Sequence, residues 1–303
     1  MNNLSLSGII PPLPTPFDDN QDFAPARLQE NIRRLSDFKL AGFLVLGSNG
    51  ELAHLADREI PAVYEAAREA ISGPRLMLAG VGAQSTRRTI ANARAAAAAG
   101  ADAVLVLNPS YYKGQMSREA LRAHYHAVAE AATVPVILYN MPAATGLDMD
   151  AETVVAIAGH ENIIGIKDSG GNVVKLGEIR RNTPPDFQIL AGSAGFLLPA
   201  LSVGAVGGIL ALANIAPQQC LDLFHHFQAG DLPAARDMQI RLIPVNTAVT
   251  AKWGVPGLKA ALDLLGLYGG PPRAPLLPAG PDIRRQLSEL MEIHLQKTGR
   301  NES

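Results

Sequence analysis

Ile163-Ile164-Gly165-Ile166-Lys167-Asp168-Ser169 is an apolar run that stops abruptly on a lysine and two further polar residues, with Gly170-Gly171 behind it. A short apolar run bounded by a glycine pair reads as a buried strand and its exit turn, although a buried helix segment would show the same run. Parallel sheets are covered on both faces, and their chemistry gathers at the C-terminal ends of the strands. Lys167 then stands at such an end, as a candidate catalytic amine. The alternative is a lysine that lays its stem on apolar surface while its ammonium reaches water.

Outward from this run the same unit repeats in both directions. Residues 8–17, Gly-Ile-Ile-Pro-Pro-Leu-Pro-Thr-Pro-Phe, are forced into extended backbone by their prolines, which also remove ladder donors. That predicts a first strand that frays early. Further strands are predicted over 42–47, 75–82, 103–108, 134–140, 187–192 and 206–213. Between them fall helical stretches over 24–40, 57–72, 85–99, 117–131, 150–159, 172–182 and 194–203, the first carrying Leu28, Ile32, Leu35 and Phe38 at helical spacing. Strict alternation argues for a parallel sheet, and eight units close a (β/α)8 TIM barrel, an α/β fold. An open doubly wound sheet is the rival, but no Gly-x-Gly-x-x-Gly follows the first strand. From residue 216 onward the pattern is helical with no strand between. The chain therefore divides into a barrel over 1–215 and a C-terminal helical segment over 216–303 packed on it, with Gly269 to Pro275 as a rigid connector.

Composition narrows the function classes. Hydrophobic residues make up 48% and charged residues 18% of the 303, so much of the chain is buried. A net charge of -2 offers no overall attraction to nucleic acid or to an anionic membrane. The seven histidines lack zinc-type spacing, and the one cysteine, Cys220, has no internal disulfide partner, which fits a cytoplasmic location. Met1 to Gly8 has the layout of neither a signal nor a transit peptide, and no apolar run reaches membrane-span length.

The other predicted strand ends supply companions for Lys167. Ser48 and Asn49 lie in Gly47-Ser48-Asn49-Gly50-Glu51, Tyr111 and Tyr112 follow the fourth strand, Tyr139 lies at the end of the fifth, and Gly192 ends the seventh. An amine in apolar surroundings has its charged form disfavoured, which frees the lone pair to attack a carbonyl. A tyrosine hydroxyl can move protons during carbinolamine formation and bond cleavage, and a Gly-Ser-Asn-Gly turn presents backbone N–H groups to a carboxylate. Together these residues point to Schiff-base chemistry on a 2-oxo acid. Singly, each has a plainer reading: Tyr139 as a core residue, the tyrosine pair as loop anchors, the glycine-bounded turn as an ordinary turn, Glu51 as a loop brace through backbone hydrogen bonds, and His54, Trp253 and Cys220 as packing residues.

Pro-x-Thr-Pro-Phe, Gly-Ser-Asn-Gly-Glu, Tyr-Tyr, Tyr-Asn-x-Pro and Gly-Ile-Lys-Asp-Ser, in this order and spacing from Gly8 to about Pro275, resemble the N-acetylneuraminate lyase and dihydrodipicolinate synthase superfamily. Within it the chain is most similar to the 4-hydroxy-2-oxoglutarate aldolases, through Lys-Asp-Ser-Gly-Gly and Leu-Ala-Gly-Ser-Ala-Gly-Phe. The resemblance implies that Lys167 forms the imine and Tyr139 is the general acid and base beside it. Ser48 and Tyr111 would complete a proton relay, with Tyr112 the alternative and the tyrosine reaching across from a neighbouring subunit. Asn49 and Ser169 would bind substrate, and Gly192 would line the pocket with its backbone. It implies a homotetramer, a small 2-oxo acid as the bound partner, and no metal or organic cofactor.

One departure bears on the substrate. Dihydrodipicolinate synthases usually carry an arginine five residues after the strand-five tyrosine, and here that position is Ala144. A bidentate carboxylate donor is not replaced by alanine without consequence. The expectation is a class I aldolase that cleaves 4-hydroxy-2-oxoglutarate to pyruvate and glyoxylate. The alternatives, in descending order, are a 2-keto-3-deoxy sugar-acid aldolase or dehydratase, a dihydrodipicolinate synthase, and a non-catalytic oxo-acid binding protein.

Overall fold

In a computed structural model the described residues are 4–295. The first residues of the Met1–Gly8 segment and the last of the 216–303 segment lie outside them. Eight parallel strands, β1 (Gly8–Ile10), β2 (Gly42–Val45), β3 (Leu76–Gly80), β4 (Ala103–Leu107), β5 (Val136–Asn140), β6 (Ile163–Asp168), β7 (Gln188–Ala191) and β8 (Gly207–Ile209), run in the order β1-β8-β7-β6-β5-β4-β3-β2. The remaining seam, between β1 and β2, is closed by a parallel bridge between Pro12 and Leu44. Prolines cannot donate, so this seam uses their carbonyls: Leu44 N–H donates to Pro11 O at 3.0 Å. The fold is a (β/α)8 TIM barrel with C-terminal helices.

The helices are α1 (Pro25–Leu35), α2 (Ile60–Ala70), α3 (Thr86–Ala98), α4 (Arg118–Ala131), a short α5 (Pro142–Thr145), α6 (Ala151–Ala158), α7 (Val173–Asn182), α8 (Leu197–Ser202), α9 (Pro217–Gln228), α10 (Leu232–Thr247), α11 (Gly254–Leu264) and α12 (Pro281–Leu295). Starts are marked in the sequence: Ser85, Ser117, Asp150 and Asn172 each accept a backbone N–H of the first turn of α3, α4, α6 and α7. The strands are shorter than the apolar runs, because several run ends become turns. The run over 206–213, for example, is β8 followed by a 3-10 turn at Ala211–Asn214. Short α5 was not expected from the sequence, and Pro142 at its first position starts it.

Alternation along each strand separates two apolar layers. Ile10, Leu44, Leu78, Leu105, Ile137, Tyr139, Leu190 and Ile209 fill the barrel interior. Ile9, Val45, Met77, Val104, Val106, Leu138 and Ile166 face the helices. This is the two-sided burial that made the strands read as continuous apolar runs.

Candidate active site

Strand β6 departs from this alternation, and the departure aims Lys167. Val136 pairs with Ile163, but the next residue, Ile137, pairs with Gly165, so β6 carries one residue more than its neighbour. Ile164 packs in the interior, whereas Ile163 and Ile166 both face the helices. Without the extra residue, Ile166 would point inward and Lys167 outward. With it, Lys167 pairs with Tyr139 of β5 and its Nζ lies 4.1 Å from the centre of the Tyr139 ring. Both side chains are buried, Lys167 at 3% and Tyr139 at 4% exposure. Gly165 permits the close approach of β7, since a Cβ there would stand 2.2 Å from Gln188 O.

The Tyr139 hydroxyl is hydrogen bonded to Ser48 Oγ at 3.2 Å, across 91 residues of sequence. Burial pushes the Tyr139 phenol up, but the Lys167 charge and hydrogen bonds with Ser48, Lys167 and Ser169 outweigh it and hold it below the usual tyrosine range. Ser48 and Asn49 form the 3-10 turn Ser48–Gly50 above β2. Gly192 stands against Ser169: a Cβ there would lie 2.0 Å from Ser169 Oγ, and its N–H donates to Asp168 O at 2.7 Å. Lys167, Tyr139, Ser48 and Ser169 thus meet at one rim, with Asn49 and Gly192 beside them.

Tyr111 is not brought to this cluster within the chain. It is 78% exposed, packs edge-on against Tyr112, and its hydroxyl has no hydrogen bond among the described residues. Its backbone N–H donates to Gln84 Oε1 at 2.8 Å, which fixes the loop that carries it.

Sequence reasoning did not single out the polar groups behind the rim. Asp168 follows Lys167 on the opposite face and is fully buried. It accepts from Gly170 N–H at 2.7 Å and Asn140 Nδ2 at 2.8 Å, and pairs with Lys175 Nζ at 2.8 Å. Lys175 also reaches Asp148 at 2.6 Å. The network fixes the end of β6 on both sides of Lys167. Period-two alternation after Tyr139 would have put Asn140 on this outer face, but nothing in the spacing links it to Lys175. The loop after β7 is held from α10, where Gln239 Nε2 donates to Ala194 O at 2.8 Å and Asn246 Nδ2 to Ser193 Oγ at 3.0 Å. Among the described residues no three His, Cys, Asp or Glu side chains gather as a metal site, and no helix is long and apolar enough to cross a membrane.

Residues 5–294 match the Dihydrodipicolinate synthetase family. A probable mitochondrial 4-hydroxy-2-oxoglutarate aldolase of Emericella nidulans is 36% identical over 97% of this chain and 98% of its own. A 4-hydroxy-tetrahydrodipicolinate synthase of Methanopyrus kandleri is 34% identical over 97% of both chains. A prophage protein of the dihydrodipicolinic acid synthase family from E. coli K12, solved in complex with pyruvate, superposes with a TM-score of 0.90 at 30% identity, over 97% of this chain and 100% of that one. Aldolases of this kind join pyruvate to a lysine as a Schiff base and use no external cofactor. The barrel, the paired lysine and tyrosine at its rim and the near full-length match agree: this chain belongs to the dihydrodipicolinate synthetase family of aldolases and lyases.

Proposed function

We propose that the protein is a class I aldolase that cleaves 4-hydroxy-2-oxoglutarate to pyruvate and glyoxylate. The observation that carries this reading is the buried pairing of Lys167 with Tyr139, whose hydroxyl is tied to Ser48. The Lys167 ammonium gives a proton to the Tyr139 phenolate, the freed amine adds to C2 of the substrate, and Tyr139 returns the proton to the departing hydroxyl, so that water leaves and a protonated imine remains beside the phenolate. Tyr139, as phenolate, takes the proton of the C4 hydroxyl. The C3–C4 bonding pair then moves into the imine, which releases glyoxylate and leaves an enamine. Protonation at C3 and hydrolysis return pyruvate and the free amine.

Ser48 holds the Tyr139 oxygen and passes its proton onward, and the relay ends on Tyr111 of a neighbouring subunit. The exposed Tyr111–Tyr112 pair suits such an interface, and a homotetramer is the assembly proposed. Asn49 and Ser169, with the backbone at Gly192, take the carboxylates and hydroxyl of the substrate. The aldolase relative at 36% identity and the alanine at position 144 favour this substrate over the synthase reaction. Cys220, buried and unpaired, suits a cytoplasmic location. The test is pyruvate release across 4-hydroxy-2-oxoglutarate and several 2-keto-3-deoxy sugar acids. The first substrate is expected to have the highest kcat/KM, and preference for a sugar acid would overturn the substrate assignment.

A further inference from the structure

Glu51 immediately follows the turn that carries Ser48 and Asn49, and it is bound to residues more than two hundred positions away. Its backbone is left-handed, with φ 56°, a conformation that disfavours a residue with a Cβ. Its carboxylate is buried. Oε1 lies 2.7 Å from Lys259 Nζ, each side chain 1% exposed, and Oε2 accepts the backbone N–H of Arg273 at 2.9 Å.

The lock extends on every side. Lys259, on α11, donates to Pro271 O at 2.9 Å and lies 4.5 Å from the centre of the Phe17 ring. The Arg273 guanidinium lies 4.2 Å from the same ring centre and pairs with Glu59 at 2.7 Å. His54 Nδ1 stands 3.4 Å from Glu51 Oε2. Gly269 lets the connector lie on the Lys259 backbone, where a Cβ would come within 1.9 Å of Lys259 O. From below, Thr15 Oγ1 donates to Gly50 O at 2.6 Å.

A buried ion pair is weak evidence for a stabilising role, because well-packed apolar side chains of similar volume often do as well or better. The turn this pair fixes places Ser48 Oγ 3.2 Å from the Tyr139 hydroxyl. We infer that Glu51 is a positioning residue: clamped by Lys259 and Arg273, it sets the Ser48–Asn49 turn, and through it the C-terminal helices hold the proton relay in register. The inference rests on the aldolase reading, in which Tyr139 needs Ser48.

The test compares the native protein with Glu51→Gln and with the double variant Glu51→Gln/Lys259→Met. The double variant removes both buried charges and so leaves none unpaired. Two quantities are read: the pyruvate adduct on Lys167 trapped by borohydride, and kcat and KM for pyruvate release from whichever 2-oxo acid the native protein cleaves. Both variants are expected still to form the adduct on Lys167, with KM raised by about threefold at most because Asn49 shares the turn. Their kcat is expected to fall about 10- to 100-fold. The pH at which kcat rises is expected to move up, because Tyr139 loses a bond that favours its ionised form. A folded variant with native kcat and an unmoved pH profile would overturn the inference, as would failure of both variants to fold, which assigns the pair to stability. Absence of the adduct in the native protein would instead defeat the aldolase reading itself.

Discussion

Tyr139 shows how close neighbours set the chemistry of a buried group. Its burial alone would keep the phenol neutral, as it does for the buried Tyr64, whose hydroxyl donates to Gly80 O and whose ionisation is pushed up. What separates Tyr139 is the cation over its ring and the hydrogen bonds at its oxygen. Ser48→Ala removes one of these, so the Tyr139 phenol rises, and the pH at which kcat increases should move up. At neutral pH kcat should fall about tenfold or more. A pH–rate profile of the two proteins checks this, and coincident profiles would mean that Ser48 does not act on Tyr139. At this scale the sequence was informative about residue types, since Lys167, Tyr139 and Ser48 all stand at strand ends. It read Glu51 as a loop brace through backbone hydrogen bonds but could not name its partners, Lys259 and the Arg273 N–H in the C-terminal segment, because no local period connects residues so far apart.

At the level of the strand, one extra residue in β6 sets which way Lys167 points. The sequence reading placed Lys167 at a strand end but could not orient it, since simple alternation from inward-facing Ile164 would turn it outward. The register shift against β5 reverses that, and it also sends Asp168 to the outer network with Asn140 and Lys175. Glycine at 165 is needed for the approach of β7 at this point, with Gln188 O 2.2 Å from where a Cβ would stand. Gly165→Ala is therefore expected to cost about 1–3 kcal/mol of stability as the strands are pushed apart. Imine formation should fall in the folded fraction too, because Lys167 moves with its strand. Urea unfolding and borohydride trapping on the same samples measure both. Native values in each would show that the spacing of β6 and β7 is not critical.

Across the whole molecule, the alternation of strands and helices was legible because the strands are covered on both faces and so read as continuous apolar runs. Strand lengths were overread, as in 206–213, because apolar residues continue into buried turns such as Ala211–Asn214. The packing of α3 against α4 also sets the response to acid. His124 of α4 is 6% exposed, holds Thr86 Oγ1 at 2.9 Å, and is pushed down by burial to about 4. Its folded value lies below its unfolded one, so the unfolded chain takes up the proton first as pH falls. The contribution is complete above about pH 6.5 and shrinks towards pH 4, by about 3 kcal/mol at most. His124→Asn should therefore lose less stability than the native protein between pH 7 and 4.5 in urea titrations, whereas equal losses would remove His124 from the account. The barrel, its bulged strand and its rim network all converge on one amine. The most direct measurement is borohydride reduction in the presence of pyruvate, followed by peptide mass analysis. The expected result is a single stable adduct on the peptide bearing Lys167, abolished in Lys167→Ala. A catalytically active protein without that adduct, or with it on another lysine, would contradict the account.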